Sequence, residues 1–332
     1  MISALRHARY CSLATAVWLL ASNTHVEAAQ WQLPRTADGH PDLQGTWTNA
    51  TITTLERPDR YGERQVLTDT EAALLERDQA DTVAERAAPS DLSKELPQAG
   101  DGVGGYNNFW IDRGSKVATV NGQKRSSLII DPPNGKVPAL RAERQRQVAG
   151  NARRNRANFD GPEARPLGER CLLAFGSSSG PPMLPVLYNN HYQIVQTKNA
   201  VMILVEMVHD VRIIRLDDEH LPSAVRKWMG DSIGRWEGDT LVVETTNFTD
   251  QENFRGATAQ RKIIERFTRV GPDSIDYRFT VEDPAAFTRS WTAEYPFYRA
   301  SGQIYEYACH EGNYALPGIL AGAREQEKAA KP

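Results

Sequence analysis

A chain of 332 residues with 40% hydrophobic and 24% charged residues has the composition of a folded globular protein, which argues against a disordered or membrane-embedded chain. The formal net charge of −3 gives no electrostatic reason to expect nucleic acid as a partner. The length suits one large all-β domain or two ordinary domains.

The first 28 residues have the features of a secretory signal peptide. Arg6 and Arg9 give a basic start, an apolar stretch covers 11–21, and the small residues Val26 and Ala28 offer a cleavage site. The apolar stretch is shorter than the roughly 18 residues that a membrane-spanning helix needs. We therefore expect a periplasmic or secreted protein with no membrane anchor after cleavage.

Residues 29–185 are predicted to form an irregular, helix-containing wrap around the rest of the chain. In order, this part contains a short strand over 44–49, a helix over 68–86, a Gly- and Pro-rich loop over 89–105, a strand over 126–130 and a second helix over about 138–150. The first helix begins with a capping box, in which a threonine is followed three residues later by a glutamate. The wrap has too few periodic apolar segments for a core of its own, so we expect it to join the C-terminal half in one compact domain.

Residues 186–332 are predicted to form a strand-rich barrel region. From about residue 192 to residue 310, polar and apolar side chains alternate with a period of two, which predicts a series of β-strands. The predicted strands are HYQIVQT, AVMILVEMVHD, VRIIRLD, DTLVVETTNF, RKIIERFTRV, SIDYRFTVED, FTRSWTAEYPF and IYEYACHEGN. The glycine-rich stretch over 230–239 is predicted to form tight turns, with a hairpin at its end. Such a series predicts a mainly β fold, an antiparallel barrel with two helices and long N-terminal arms.

Two cysteines remain after signal cleavage, Cys171 and Cys309. In an oxidising compartment a pair of this kind is most simply a disulfide, and the alternative is two separate buried thiols. The bond would tie the last predicted strand to the segment before the first one, where a barrel has to close.

Several long motifs carry a resemblance to a known family. They are YNNHYQIVQT, EMVHDVRII, WMGDSIGRWEGDTLVVETTNF, ERFTRV and IYEYACHEGNY, and RSSLIIDPPNGKVP and GPPMLP lie upstream of them. Together they resemble a large family of uncharacterised secreted bacterial proteins over most of the mature chain, a resemblance that implies no particular activity. The strand pattern is also similar to lipocalin-type barrels at the level of the fold. The similarity implies a lipocalin-like β-barrel of about eight strands, of a shape that binds apolar small molecules.

Glu206, His209 and Asp210 follow the most apolar predicted strand and are the first candidates for catalysis. A carboxylate buried there must be paired, neutral or directed at a polar cavity. We expect His209 and Glu206 to act as base and acid, with Asp210 orienting His209. The alternative is a His–Asp pair that only orders the turn.

His310 and Glu311 form a second polar cluster beside Cys309, with His310 as a further catalytic candidate and Glu311 as a substrate contact. A metal site could gather His209, His310 and neighbouring acids, and two histidines with a carboxylate suit zinc or iron. The sequence has no recognisable metal-binding spacing, so we predict no cofactor and keep a divalent metal as the alternative.

Further substrate contacts are predicted from polar and aromatic side chains. Asn189 and Asn190 could hydrogen-bond a polar group, and Trp228, Trp291 and Tyr307 could supply flat apolar surface. The alternative is a hydrophobic core, which is the commoner place for any one of these aromatic residues.

Three more acids lie within predicted strands, namely Glu244, Glu265 and Glu294. They either face solvent or line the barrel interior. Because small barrels fill their interior with side chains, we expect these acids on the outside.

The sequence therefore predicts an enzyme that acts on a small, partly apolar organic molecule by general acid–base chemistry, as a hydrolase, lyase or isomerase. The first alternative is a carrier that binds a hydrophobic ligand without changing it. The second is an interaction module that uses the arginines at 153, 154 and 156, which also fit a solvated helix face. The oligomeric state stays open.

Overall fold

The structure, a computed structural model, describes residues 31–88, 110–156, 158–174, 180–251 and 254–330, with the backbone alone for 152–156. The predicted signal peptide, the loop predicted over 89–105 and the side chains of the arginines at 153, 154 and 156 lie outside the described part.

Ten of the strands in the described residues belong to one sheet. The strands are β1 (Gly45–Thr48), β2 (Thr119–Val120), β3 (Gln123–Lys124), β4 (Ile129–Asp131), β5 (His191–Gln196), β6 (Ala200–Val205), β7 (Val211–Leu216), β8 (Asp231–Glu237), β9 (Thr240–Thr246), β10 (Lys262–Gly271), β11 (Ser274–Glu282) and β12 (Trp291–Arg299). Strand β1 pairs with β5 on one side and with β12 on the other, which closes β1 and β5–β12 into a nine-stranded barrel. Strand β4 adds to β12 outside this ring, and β2 and β3 form a separate hairpin.

The prediction of a mainly β, lipocalin-like barrel is confirmed, with nine strands in place of about eight. One pairing departs from the antiparallel rule, because β7 and β8 run parallel, with Ile214 opposite Ser232. Parallel neighbours need a long crossover, and the connection over 217–230 provides it. The closing strand comes from the N-terminal arm, where Trp47 lies opposite Tyr192 and Arg299, so the barrel is not confined to residues 186–332.

One strand prediction and one turn prediction in the C-terminal half are wrong. The segment over 304–313 is irregular, because β12 already pairs with β1, β4 and β11 and offers it no sheet edge. The stretch predicted as turns contains β8. Its Gly234 allows the close approach to β7, because a Cβ there would lie 2.8 Å from the side chain of Ile214. The predicted hairpin between β8 and β9 is present.

Three helices lie in the described residues, α1 (Asp69–Ala87), α2 (Ala142–Arg156) and α3 (Ala315–Ala329). Helix α1 begins at the predicted capping box, where the Glu71 amide donates to Thr68 Oγ1 at 3.2 Å and the Thr68 amide donates to Glu71 Oε2 at 2.8 Å. Helix α2 begins and ends later than predicted, and α3 adds a third helix to the two that were expected. None of the helices in the described residues has the length and apolar character that crossing a membrane requires.

Side chains fill the barrel interior. Its inward-facing aromatic residues are fully buried and include Trp47, Tyr192, Phe267, Tyr277, Phe279, Trp291, Tyr295 and Phe297. Their rings contact one another, and the centroids of Tyr277 and Phe297 are 4.9 Å apart. The segment over 180–184 packs against these rings, and its Met183 carbonyl accepts a hydrogen bond from the Tyr295 hydroxyl at 2.6 Å. The interior is therefore a packed core, as expected for a small barrel.

The three strand acids do not share one environment. Glu244 lies outside and is partly exposed, as predicted. Glu265 lies inside the barrel and is fully buried, so the exterior prediction is wrong for this residue. It is held there by Arg212, which donates two hydrogen bonds to its carboxylate at 3.0 and 2.5 Å. Glu294 lies on the outer face but is covered by Arg125, which donates to it at 2.9 Å.

Candidate functional site

A cavity of about 940 Å³ lies against the outer wall of the barrel, where β5 begins and β6 ends. The cavity is bounded by an N-terminal segment over 110–112, the segment over 168–171, an irregular strap over 305–313 and the start of α3. Its described lining residues are Trp110, Asp112, Gly168, Glu169, Cys171, Tyr188, Asn189, His191, Glu206, Tyr305, Glu306, Tyr307, Ala308, Cys309, Gly312, Asn313, Ala315, Leu316 and Ile319. We call it the outer-wall pocket.

The β5–β6 hairpin brings His191 and Glu206 together in this pocket. Tyr192 lies opposite Val205 and both face the barrel interior, so the residues next to them, His191 and Glu206, face outwards side by side. The distance from His191 Nδ1 to Glu206 Oε2 is 2.8 Å. The other carboxylate oxygen, Oε1, accepts a hydrogen bond from the Tyr305 amide at 2.9 Å. The pair thus links the barrel wall to the strap.

The pairing changes the protonation of both groups. Burial of Glu206 acts to raise its pKa, but the hydrogen bonds from His191 and the Tyr305 amide outweigh burial and hold the pKa below its ordinary value. The hydrogen bond to Glu206 is the main cause that raises the pKa of His191 above its ordinary value of 6.5. Of the three options open to a buried Glu206, the structure therefore shows the paired one, with an ionised carboxylate.

The predicted disulfide between Cys171 and Cys309 is confirmed, with the two Cα atoms 5.7 Å apart. The disulfide ties the strap to the 168–171 segment, and Asn313 reinforces the junction by donating to the Glu169 carbonyl at 2.8 Å. It does not close the barrel, because β1 does so. A bond of this kind is compatible with an extracellular location.

Aromatic rings form much of the remaining pocket wall. Tyr188 and Tyr307 are stacked, with ring centroids 6.4 Å apart and planes 7° from parallel. Burial, followed by the neighbouring Tyr188, raises the pKa of Tyr307 to about 12, so its phenol stays neutral at physiological pH. Trp110 and Tyr305 are 62% and 61% exposed, so much of their surface is open to solvent.

The backbone is strained at and beside the pocket. Positive φ angles occur at two lining residues, Cys171 (56°) and Asn189 (54°), and at two neighbours of Glu206, Val208 (63°) and His209 (50°). A β-branched residue such as Val208 seldom adopts this conformation, and strained backbone tends to cluster at functional sites. Of the eight described residues other than glycine with a positive φ angle, four therefore lie at or beside this pocket.

The predicted catalytic residues are not brought together as a group. Glu206 lines the pocket, whereas His209 is exposed beside it, with Nδ1 3.0 Å from the Tyr307 carbonyl oxygen. The Asp210 carbonyl accepts the Val205 amide at the end of the turn. His310 and Glu311 are exposed in the strap, outside the described pocket lining.

The predicted substrate contacts are also divided. Asn189 and Tyr307 line the pocket. Asn190 is fully buried, and its side chain bonds the backbone of Val186 and the Asp112 carbonyl, so it orders the pocket wall. Trp291 packs in the barrel core, and Trp228 is half-buried in the connection before β8.

His191 was not among the sequence candidates, although a signal for it exists. The turn over 197–199 fixes the hairpin register, and antiparallel pairing around it sets His191 against Glu206. The pairing is not visible in strand AVMILVEM alone. It becomes visible only when this strand is aligned with its hairpin partner.

Within the described ranges, no group of three or more histidine, cysteine, aspartate or glutamate side chains is placed to hold a metal ion. The histidines proposed for such a site, His209 and His310, do not lie among the described lining residues.

No family model matches this chain, and comparison with curated proteins gives no significant match.

Proposed function

We propose that this protein is a periplasmic or secreted enzyme that binds a small, partly apolar organic molecule in the outer-wall pocket and transforms it by general acid–base chemistry. Hydrolysis, elimination and isomerisation can each proceed by such proton transfer. The observation that carries the proposal is the His191–Glu206 pair, 2.8 Å apart in a cavity of about 940 Å³ with aromatic walls.

In this proposal His191 moves the proton and Glu206 positions His191. An ionised Glu206 accepts the hydrogen on Nδ1, which leaves Nε2 as the basic nitrogen of a neutral ring. Among the described residues, none hydrogen-bonds to Nε2. Nε2 takes a proton from the substrate or from water, Glu206 stabilises the imidazolium that forms, and the proton is then returned. The raised pKa of His191 suits both steps near neutral pH.

The test combines binding and turnover by the mature protein. Small aromatic esters and amines are screened by calorimetry, and mass spectrometry then follows whether bound compounds change. We expect His191→Gln to bind these compounds but to lose turnover by roughly 10²–10⁴-fold. Glu206→Gln should lower the His191 pKa and move the acidic limb of the rate profile to lower pH. His40→Gln, which removes a histidine outside the described pocket lining, serves as the matched control.

A carrier would behave differently. If ligands bind with equal affinity to the wild-type protein and to His191→Gln, and are recovered unchanged from both, the protein stores or transports them and does not act as an enzyme. Turnover that persists at the wild-type rate in His191→Gln would contradict the assigned role of His191.

A further inference from the structure

We infer that the ligand of the outer-wall pocket carries an organic cation, an amine or quaternary ammonium group on an apolar body. The inference deepens the proposed function and rests on the same pocket as the binding site. It stands on the charges and the aromatic faces of the described lining residues.

The first observation is the sign of the charges. The described lining contains four carboxylates, those of Asp112, Glu169, Glu206 and Glu306, and it contains no lysine or arginine. The counter-charge from His191 is already engaged by Glu206 at 2.8 Å. The described lining therefore carries a net negative charge, and a cleft with low-dielectric walls strengthens the field of such charges.

Not all four carboxylates are available to a ligand. Glu169 accepts two hydrogen bonds from Arg165, at 2.9 and 3.1 Å, and Glu206 is paired with His191. Asp112 and Glu306 are exposed and make no ion pair with a described residue. These two acids remain as the groups that a cation would approach.

The second observation is the aromatic surface next to these acids. Tyr188, Tyr305 and Tyr307 line the cavity, and no described arginine or lysine lies over any of their rings. Elsewhere in the described chain, arginines do cover aromatic faces, as Arg261 covers Phe248 at 3.7 Å. Ring faces combined with nearby carboxylates are the surroundings in which proteins bind alkylammonium groups.

Ligands of other charge fit these surroundings less well. An anion would meet uncompensated carboxylates, and the described lining offers it no guanidinium or ammonium group. A neutral apolar molecule would gain from the rings but nothing from Asp112 and Glu306. The negative charge of the described lining and its aromatic surface together favour a cationic ligand.

The experiment uses three probes that share one ring and differ in charge, namely benzyltrimethylammonium, benzyl alcohol and benzoate. Their affinities for the mature protein are measured by calorimetry at low salt. We expect the cation to bind about tenfold more tightly than the alcohol, with benzoate weakest. Glu306→Gln and Asp112→Asn should each lower the affinity for the cation about three- to tenfold and leave the affinity for the alcohol unchanged. Glu325→Gln, which removes an exposed acid of α3 outside the described lining, is the matched control.

The inference is overturned if the alcohol or benzoate binds as tightly as the cation, if no probe binds, or if neither acid variant weakens the cation. These outcomes are separate from those of the proposed function. If all three probes bind equally and turnover still depends on His191, only the inference that the ligand is a cation is refuted. If the cation binds selectively but no bound compound is turned over, only the proposal of catalysis is refuted.

Discussion

The ion pair inside the barrel allows a quantitative test of the fold. The side chains of Arg212 and Glu265 are 1% and 0% exposed. The Glu265 carboxylate accepts two hydrogen bonds from Arg212 and a third from the Tyr277 hydroxyl at 2.7 Å. In Glu265→Leu, the guanidinium of Arg212 would stay among aromatic rings without its counter-ion.

Removing one partner of a buried pair costs about 3–5 kcal/mol, because the remaining charge has lost both solvent and counter-ion. That loss is a large part of the 5–15 kcal/mol by which folded domains are typically stable. Replacing both partners by apolar residues of similar size removes the unpaired charge, so Arg212→Met combined with Glu265→Leu should recover most of the loss. The Tyr277 hydroxyl would still lack its acceptor in the double variant, which leaves a deficit of about 1–3 kcal/mol.

The assay is urea unfolding of the wild type, both single variants and the double variant, analysed as a double-mutant cycle. The expected coupling energy is at least about 2 kcal/mol, with the double variant more stable than Glu265→Leu alone. Glu265→Gln, which keeps the shape and one acceptor oxygen, should lie between wild type and Glu265→Leu. A double variant whose loss equals the sum of the two single losses would show that Arg212 and Glu265 act independently, and the reasoning would fail.

Two further predictions concern the pocket. The Cys171–Cys309 bond closes a loop with a sequence separation of 138, so a double alanine variant should lose roughly 4–5 kcal/mol in unfolding experiments, and a loss below about 1 kcal/mol would contradict the chain-entropy estimate. The His191–Glu206 pair should stabilise the fold most between about pH 4.5 and 6.5. The contribution of the histidine is lost as the pH rises through the raised pKa that His191 has in the folded state. The contribution of the glutamate is lost as the pH falls through the lowered pKa that Glu206 has in the folded state. The stability difference between wild type and His191→Gln, measured against pH, should therefore peak in that window, and a pH-independent difference would refute the pairing.

The sequence predicted the barrel because its strands satisfy a local rule. Alternation with a period of two is visible within each strand, and the Thr68 capping box and the cysteine pair are equally local or depend on composition alone. The parallel neighbour β8 and the closing strand β1 were beyond this rule, because their places depend on long crossovers. The irregular strap shows the opposite error, since its alternating residues find no free sheet edge.

The position of the Arg212–Glu265 pair could be predicted if its two strands were considered together. Glu265 shares a face of β10 with Ile263 and Phe267, and Arg212 shares a face of β7 with Ile214. Each charge alone argues against its strand face being the inner one. Considered together, two opposite charges on otherwise apolar faces indicate that they neutralise each other inside the barrel.

The filled interior determines where a ligand can bind. Because aromatic rings and the Arg212–Glu265 pair occupy the barrel, the pocket is built where the wall meets added segments at 110–112, 168–171 and 305–319. The disulfide joins the strap to the segment at 168–171, and the strap is not paired with any strand of the sheet. The barrel, in contrast, is held together by the continuous hydrogen bonding between its strands. Reduction should therefore abolish ligand binding at denaturant concentrations that leave the β-sheet circular dichroism unchanged. Simultaneous loss of both signals would mean that pocket and barrel unfold as one unit.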